Sequence, residues 1–220
     1  MQPESDREQV ETYRREAMGA FAHEVRTPLT SIKMVMELAR RQSTGQELLL
    51  DAELAEMLRT SIDDLQSLAD DLQETSRLER GRVSLSTGPC DLAVAVDAAR
   101  DLLRGIDIVG SVAPGIEGPW DAARLVRAIA GFTDSANRIG NGSGVVTLEV
   151  APRGSGIELC FCSGEPGGAE RPIAADAGFS FFRSRQLVLA MGGSVHCQRA
   201  ERFATFFVAL PLSPRADASR

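Results

Sequence analysis

The amino-acid sequence predicts an α+β protein, an antiparallel helical hairpin followed by a layered α/β unit, on three observations. Glycine is the first: residues 1–86 hold three of the 20 glycines and a single proline away from the extreme N-terminus, Pro28, whereas 87–220 hold the other 17 glycines and eight of the nine phenylalanines. Charge is the second, with 17 acidic and 11 basic residues in 1–86 against 14 and 13 in the remainder. Periodicity is the third. Apolar residues recur at helical spacing in the first part, and strand-like runs punctuated by glycine follow in the second. The boundary is expected near 81–89, giving a hairpin over 1–86, an α/β domain over 87–212 and a disordered tail over 213–220.

The elements follow in order. Phe21, Val25, Pro28, Ile32, Val35 and Ala39 are spaced four, three, four, three and four apart, which is one seam of a coiled-coil-like helix. Leu54, Leu58, Leu65, Leu68 and Leu72, with Ser61 and Thr75 completing the row, make a second seam, and the turn-forming composition of 42–46 folds the two helices back on each other. A lone hairpin cannot cover both seams. Two copies packed as a four-helix bundle can, so a homodimer is expected. Beyond the boundary, 91–103 and 121–132 read as helices, and 145–150, 157–161, 193–199 and 204–210 as strands. A further helix over 181–191 stops at Gly192 and Gly193. The expected result is a few helices on a mostly antiparallel sheet, with no internal repeat.

Composition excludes several function classes. A net charge of −7 argues against nucleic acid as a main partner, because phosphate recognition needs a basic surface. The longest nearly uninterrupted apolar run, 203–212, is about half of the roughly 20 residues a spanning helix needs. Glu4, Asp6 and Glu8 stand where a signal peptide carries basic residues. A cytoplasmic protein without a membrane or sensor segment of its own is expected. Cys90, Cys160, Cys162 and Cys197 lack zinc-site spacing and are expected to stay reduced. Cys160 and Cys162, two apart in a strand, share a face and are expected to pack as small hydrophobes.

One residue stands apart chemically. His23 lies two positions from both Phe21 and Val25, about 200° around the helix from that seam, and therefore faces water with Thr27 and Thr30 at i+4 and i+7. An exposed neutral imidazole can attack phosphorus, the carboxylate of Glu24 can take or orient its proton, and Pro28 loosens the helix four residues later. An exposed helical histidine is more often merely solvated, so spacing alone leaves the matter open.

The run FAHEVRTPLTSI, residues 21–32, closely resembles the phosphoacceptor box of sensor histidine kinases, and SRLERGRVSL, 76–85, resembles the end of their dimeric helical hairpin. The resemblance implies that His23 is phosphorylated, with Glu24 as the adjacent acid/base, Thr27 orienting water or a receiver aspartate in dephosphorylation, and Pro28 giving a bend. It also implies a receiver-docking face that includes Thr30, Lys33, Met34, Asp63, Gln66 and Asp70.

The second part resembles the ATP-binding domain of those kinases in length and order, and departs from it where ligands are held. The family's NxxxNA pattern aligns with GFTDSANR, 131–138, so Gly131 and Ser135 replace both asparagines, and a serine hydroxyl is a shorter and poorer Mg²⁺ ligand than an amide oxygen. The DxGxG element aligns with CSGEPGG, 162–168, putting Ser163 in place of the adenine-binding aspartate and Glu165 in place of a glycine, where a buried carboxylate would repel nucleotide. The GLGL phosphate loop aligns with GFSF, 178–181, in which Gly178 survives and Ser180, Phe181 and Phe182 are expected to crowd an approaching anion. MGGSV, 191–195, and TFFVALPL, 205–212, keep the framework. Asn137, Asn141, Asp134 and Asp176 are expected as caps, turns or surface residues rather than replacement ligands, and His196 as a packed or surface histidine.

These readings imply a dimeric histidine phosphotransferase of degenerate kinase type. It would take a phosphoryl group on His23 from one response-regulator receiver, itself charged by an upstream hybrid kinase, and pass it to another. No cofactor or metal of its own is expected; the receiver supplies Mg²⁺. The alternatives are a soluble, sensor-less histidine kinase with autokinase and phosphatase activity, or a non-catalytic scaffold that sequesters a kinase or receiver.

Overall fold

The structure is a computed structural model that describes residues 3–43, 50–140, 142–165 and 177–212. It divides into two compact units, Met1–Glu74 and Thr75–Arg220. The first consists of α1 (Pro3–Gln42) and most of α2 (Ala52–Glu79). Part of the turn expected at 42–46, and all of the tail from 213, lie outside the described residues.

Along α1 the expected seam is the covered side: Pro28, Val35 and Ala39 are buried, and Phe21, Val25 and Ile32 half-buried. Val35 and Ala39 meet Leu54 of α2, with Met57 and Leu58 packed against them. On α2, Leu54, Ser61 and Thr75 are buried, while Leu58, Leu65, Leu68 and Leu72 are half-buried. Met18, Leu29, Met34, Met36, Leu38 and Ile62 remain exposed, so a single hairpin leaves much apolar side chain in water. Ser61 stays buried at little cost because its hydroxyl donates to the Met57 carbonyl one turn earlier.

In the second unit β1 (Thr87–Asp91), α3 (Leu92–Leu102), β2 (Asp107–Val109), β3 (Glu117–Asp121), α4 (Ala122–Ile139), β4 (Val145–Arg153), β5 (Gly156–Gly164), α5 (Phe179–Ala190), β6 (Ser194–Ala200) and β7 (Phe203–Pro211) follow in order. The main sheet runs β2-β4-β5-β7-β6, parallel between β2 and β4 and antiparallel elsewhere. A separate antiparallel pair joins β1 to β3, with Pro89 opposite Pro119. Alternation fixes the faces: Val146, Leu148, Ile157, Leu159, Phe161, Phe206, Val208 and Leu210 point to the helix-covered side and are buried.

Aromatic rings hold the helices to that face. Phe132 of α4 lies 5.8 Å from Phe161, 5.8 Å from Phe206 and 6.1 Å from Phe181 between ring centroids, and Phe181 is 5.1 Å from Phe206. At the other end the indole N–H of buried Trp120 donates to the Pro211 carbonyl at 2.8 Å, tying β3 to the end of β7.

Several expectations need correction. The helix expected over 121–132 continues to Ile139, because Gly131 and Ser135 sit on its buried side against α5 and are selected for close approach rather than for helix propensity. The helix expected from 181 begins at Phe179, directly after Gly178 at φ 80°. Strands β1, β2 and β3 were not expected at all; Gly88–Pro89 and Gly118–Pro119 disguise two of them, and β2 has three residues. Cys160 and Cys162 do share a face, but it is the face turned away from the helices, and both are half-exposed. Cys160 stands opposite Glu149 and Phe207 there, and burial, followed by the nearby Cys162 and Glu149, pushes its thiol above the ordinary range.

Candidate functional site

His23 is exposed on α1, with Thr27 and Thr30 exposed on the same side and Glu24 half-buried beside it. Pro28 is buried two turns before Val35 and, lacking an N–H, cannot donate to the Glu24 carbonyl. The turn around it is further loaded with side-chain bonds: the Thr30 hydroxyl donates to the Arg26 carbonyl at 2.8 Å and Ser31 to the Thr27 carbonyl at 3.4 Å. Here the main chain that carries the imidazole is locally re-bonded, while the imidazole itself is open to a reactant.

The residues expected on a docking face are all exposed. Thr30, Lys33 and Met34 follow His23 along α1, and Asp63, Gln66 and Asp70 are spaced three and four apart on α2, hence along one side of that helix. Met34 is 49% exposed, an unusual position for a large apolar residue unless something covers it.

In the second unit Gly131, Ser135, Ser163 and Asn137 take part in packing and in closing turns. Gly131 faces α5 so closely that a Cβ there would lie 2.1 Å from Ser184 Oγ and 3.1 Å from the Ser180 carbonyl. Ser135 is fully buried, 3.3 Å from Ser180 through their hydroxyls, and Ser180 donates to Asp134 at 3.0 Å, an oxygen that Arg138 also reaches at 3.2 Å. Ser163 is buried beneath Gly140, with its hydroxyl donating to the Val145 carbonyl at 3.2 Å. Asn137 accepts the Gly144 N–H at 2.9 Å and so closes the loop after α4. His196 is exposed on β6, stacked on Phe207 at 6.1 Å. Asn141 and Asp176 lie outside the described residues.

Two expectations about this region change. Glu165 is exposed at the end of β5 rather than buried. Phe181 and Phe182 do not crowd the Gly178 turn; both are buried, and Phe181 points into the Phe132–Phe206 cluster. The chain passes into helix one residue after Gly178, so those rings fall on the core side of α5. Sequence reasoning began a helix at Asp121 but did not give its side chain a role. Its carboxylate caps α4, and the Gly-Pro-X-Asp pattern shared by 88–91 and 118–121 was the available signal. Among the described residues no group of three or more His, Cys, Asp or Glu side chains converges as a metal site, and no helix is long and apolar enough to cross a membrane.

Residues 13–81 match the family described as "His Kinase A (phospho-acceptor) domain". Among curated proteins, the chain is 29% identical to "Histidine protein kinase DivJ" of Caulobacter vibrioides over 65% of its own length and 25% of that protein. It is 27% identical to "Probable sensor histidine kinase TcrY" of Mycobacterium tuberculosis over 94% of its length and 48% of that protein. It therefore spans between a quarter and a half of these relatives. Among solved structures, the Acinetobacter baumannii histidine kinase AdeS superposes with a TM-score of 0.63 at 16% identity, covering 86% of this chain and 98% of that one. Full-length ShkA in complex with AMPPNP superposes at 0.58 and 23% identity, covering 89% of this chain and 45% of that one. Residues 13–81 thus match a phospho-acceptor domain of histidine kinases, and the second unit shares its fold with solved histidine kinases.

Proposed function

We propose that this chain acts as a histidine phosphotransferase: His23 receives a phosphoryl group from the aspartyl phosphate of one response-regulator receiver and delivers it to the aspartate of another, without using ATP. The imidazole nitrogen lone pair forms an N–P bond as the acyl P–O bond breaks, the receiver recovers its carboxylate, and Glu24 accepts or holds the imidazole proton. Delivery reverses these steps. The receiver brings its own Mg²⁺, so this protein supplies a positioned imidazole and a docking face built from Thr30, Lys33, Met34, Asp63, Gln66 and Asp70. A second copy would cover the apolar side chains the hairpin leaves exposed, Leu29 and Met36 among them.

The observation that carries this reading is the direct packing of α4 on α5 at Gly131, Ser135, Ser180 and Ser184. The resemblance places nucleotide-holding residues on α4 and at the start of α5, where Ser180 here donates to Asp134, an oxygen that Arg138 also reaches. The curated relatives favour a second reading, an ATP-dependent autokinase, because they are named as kinases and ShkA was solved with AMPPNP. Thr27 would serve dephosphorylation under either.

The experiment is a two-donor labelling assay on wild type and His23→Ala. One lane receives γ-labelled ATP with Mg²⁺; the other receives a labelled phospho-receiver after nucleotide removal. Label from the receiver alone supports the phosphotransferase. Label on His23 from ATP establishes the autokinase instead.

A further inference from the structure

The main sheet has two edges, and β2 forms one of them. Along a strand the N–H and C=O groups of alternate residues point to opposite sides. The Asp107 N–H donates to the Gly144 carbonyl at 2.7 Å, directly ahead of β4, so Asp107 and Val109 face the sheet while Ile108 and Gly110 face outward. Outward carbonyls on an edge are what a further strand would bind.

Here those carbonyls are already taken. Arg100, on α3, brings one guanidinium nitrogen to the Gly110 carbonyl at 3.0 Å and to the Ile108 carbonyl at 3.4 Å. Asp97, one turn earlier, pairs with the other terminal nitrogen and fixes the side chain. Helix α3 buries Leu92, Ala95, Val96 and Ala99, which leaves Arg100 half-buried at the margin of its packed side. Gly110 then ends the strand: its φ is 137°, and a Cβ there would lie 2.1 Å from the Leu148 carbonyl oxygen. Without the guanidinium, the carbonyls and N–H groups of Ile108 and Gly110 would stand open beside Val109 and Val145, which are 52% and 44% exposed on one face of the sheet. Such an edge is self-complementary. Two copies placed antiparallel exchange N–H and C=O groups across a two-fold axis and cover each other's valines.

We propose that Arg100 is an edge guard: it fills the hydrogen-bonding positions of a missing neighbour strand on β2 and keeps a second copy of this chain from adding there. The device lies wholly within the α/β unit and holds whichever donor phosphorylates His23. A molecule that pairs through its hairpin, as proposed above, and also through β2 has two interfaces, and two interfaces link molecules into open chains.

The test is sedimentation and hydrogen exchange on the full chain carrying Arg100→Ala, with Arg104→Ala, exposed in the loop between α3 and β2, as the control. Each substitution removes a positive charge from a chain of net charge −7, so repulsion alone predicts no growth in either. At about 100 μM, Arg100→Ala is expected to show at least about twice the weight-average mass of the wild type, and Arg104→Ala the wild-type mass. Exchange at the Ile108 and Gly110 amides should slow about tenfold in Arg100→Ala between dilute and concentrated samples, with Asp107 unchanged. Arg100→Lys keeps the charge but cannot hold Asp97 and the two carbonyls through separate nitrogens, and its mass should fall between. Wild-type mass in Arg100→Ala at unchanged Trp120 emission overturns the guard, as does growth without protection of Ile108 and Gly110, or equal growth in Arg104→Ala. If Trp120 emission shows Arg100→Ala to be misfolded, Arg100→Lys decides: an intermediate mass supports the two-carbonyl cover and the wild-type mass overturns it.

Discussion

Helix α1 and the helices of the α/β unit dispose of their small polar side chains in opposite ways. On α1, His23, Thr27 and Thr30 stand exposed, and the Thr30 and Ser31 hydroxyls donate to the helix's own carbonyls. On α4, α5 and β5, Ser135, Ser184 and Ser163 are buried and sit where one element closely approaches another. Chemistry needs a side chain that a reactant can reach, whereas packing needs one that nothing else can reach. The same residue type, a small hydroxyl, serves both ends of the molecule, and burial decides which.

His23→Ala breaks this contrast most completely. Phosphoryl acceptance should fall to background in the two-donor assay, while the melting transition moves by no more than about 0.5 kcal/mol, since an exposed helical side chain contributes little to stability. Phe132→Ala is the converse experiment. Removing the ring that joins α4 to Phe161, Phe181 and Phe206 should destabilise the second unit by about 3–5 kcal/mol, read from the denaturant midpoint of Trp120 fluorescence. If helical circular dichroism of the hairpin falls at the same midpoint, the two units are not independent.

Smaller effects sharpen the comparison within the second unit. Gly131→Ala should cost about 1–3 kcal/mol because its methyl meets Ser184 Oγ, and Gly131→Ala combined with Ser184→Gly should recover part of that loss. Failure of the pair to recover would mean that the Ser180 carbonyl, not Ser184, sets the spacing. Smaller still is a pH effect. Burial alone would raise the Asp121 carboxyl, but the Ser86 and Arg124 N–H groups and the Arg124 charge outweigh it and hold it below the ordinary aspartate value of 3.8. A depressed folded pKa means stability present above about pH 4 and lost as pH falls through the folded value. Asp121→Asn should therefore flatten the loss of stability below pH 4, read as a smaller difference between denaturation at pH 3 and at pH 7 than in the wild type.

The hairpin was readable because alternating spacings of three and four leave few other solutions, and His23 was placed correctly by its angle from Phe21 and Val25. The second unit was harder for identifiable reasons. Gly88–Pro89 and Gly118–Pro119 look like turns, yet they pair across from each other as β1 and β3. Gly131 looks like the end of a helix, yet it lies in the middle of one. Phe181 and Phe182 read as obstructions beside a turn, because nothing local reveals that α5 begins at Phe179 and swings them into the core. The bond from the Ser86 N–H to Asp121 joins positions 35 residues apart, which no short window of sequence contains.

The position of β7 carries one more consequence. It is the last strand of its unit, yet it lies inside the sheet, between β5 and β6. During synthesis, β5 and β6 have no direct partner in each other and must wait for β7 to be laid between them. The aromatic cluster cannot close before Phe206 arrives, nor can Trp120 find the Pro211 carbonyl. The hairpin needs none of this. On the ribosome it can fold while the α/β unit is still an open chain.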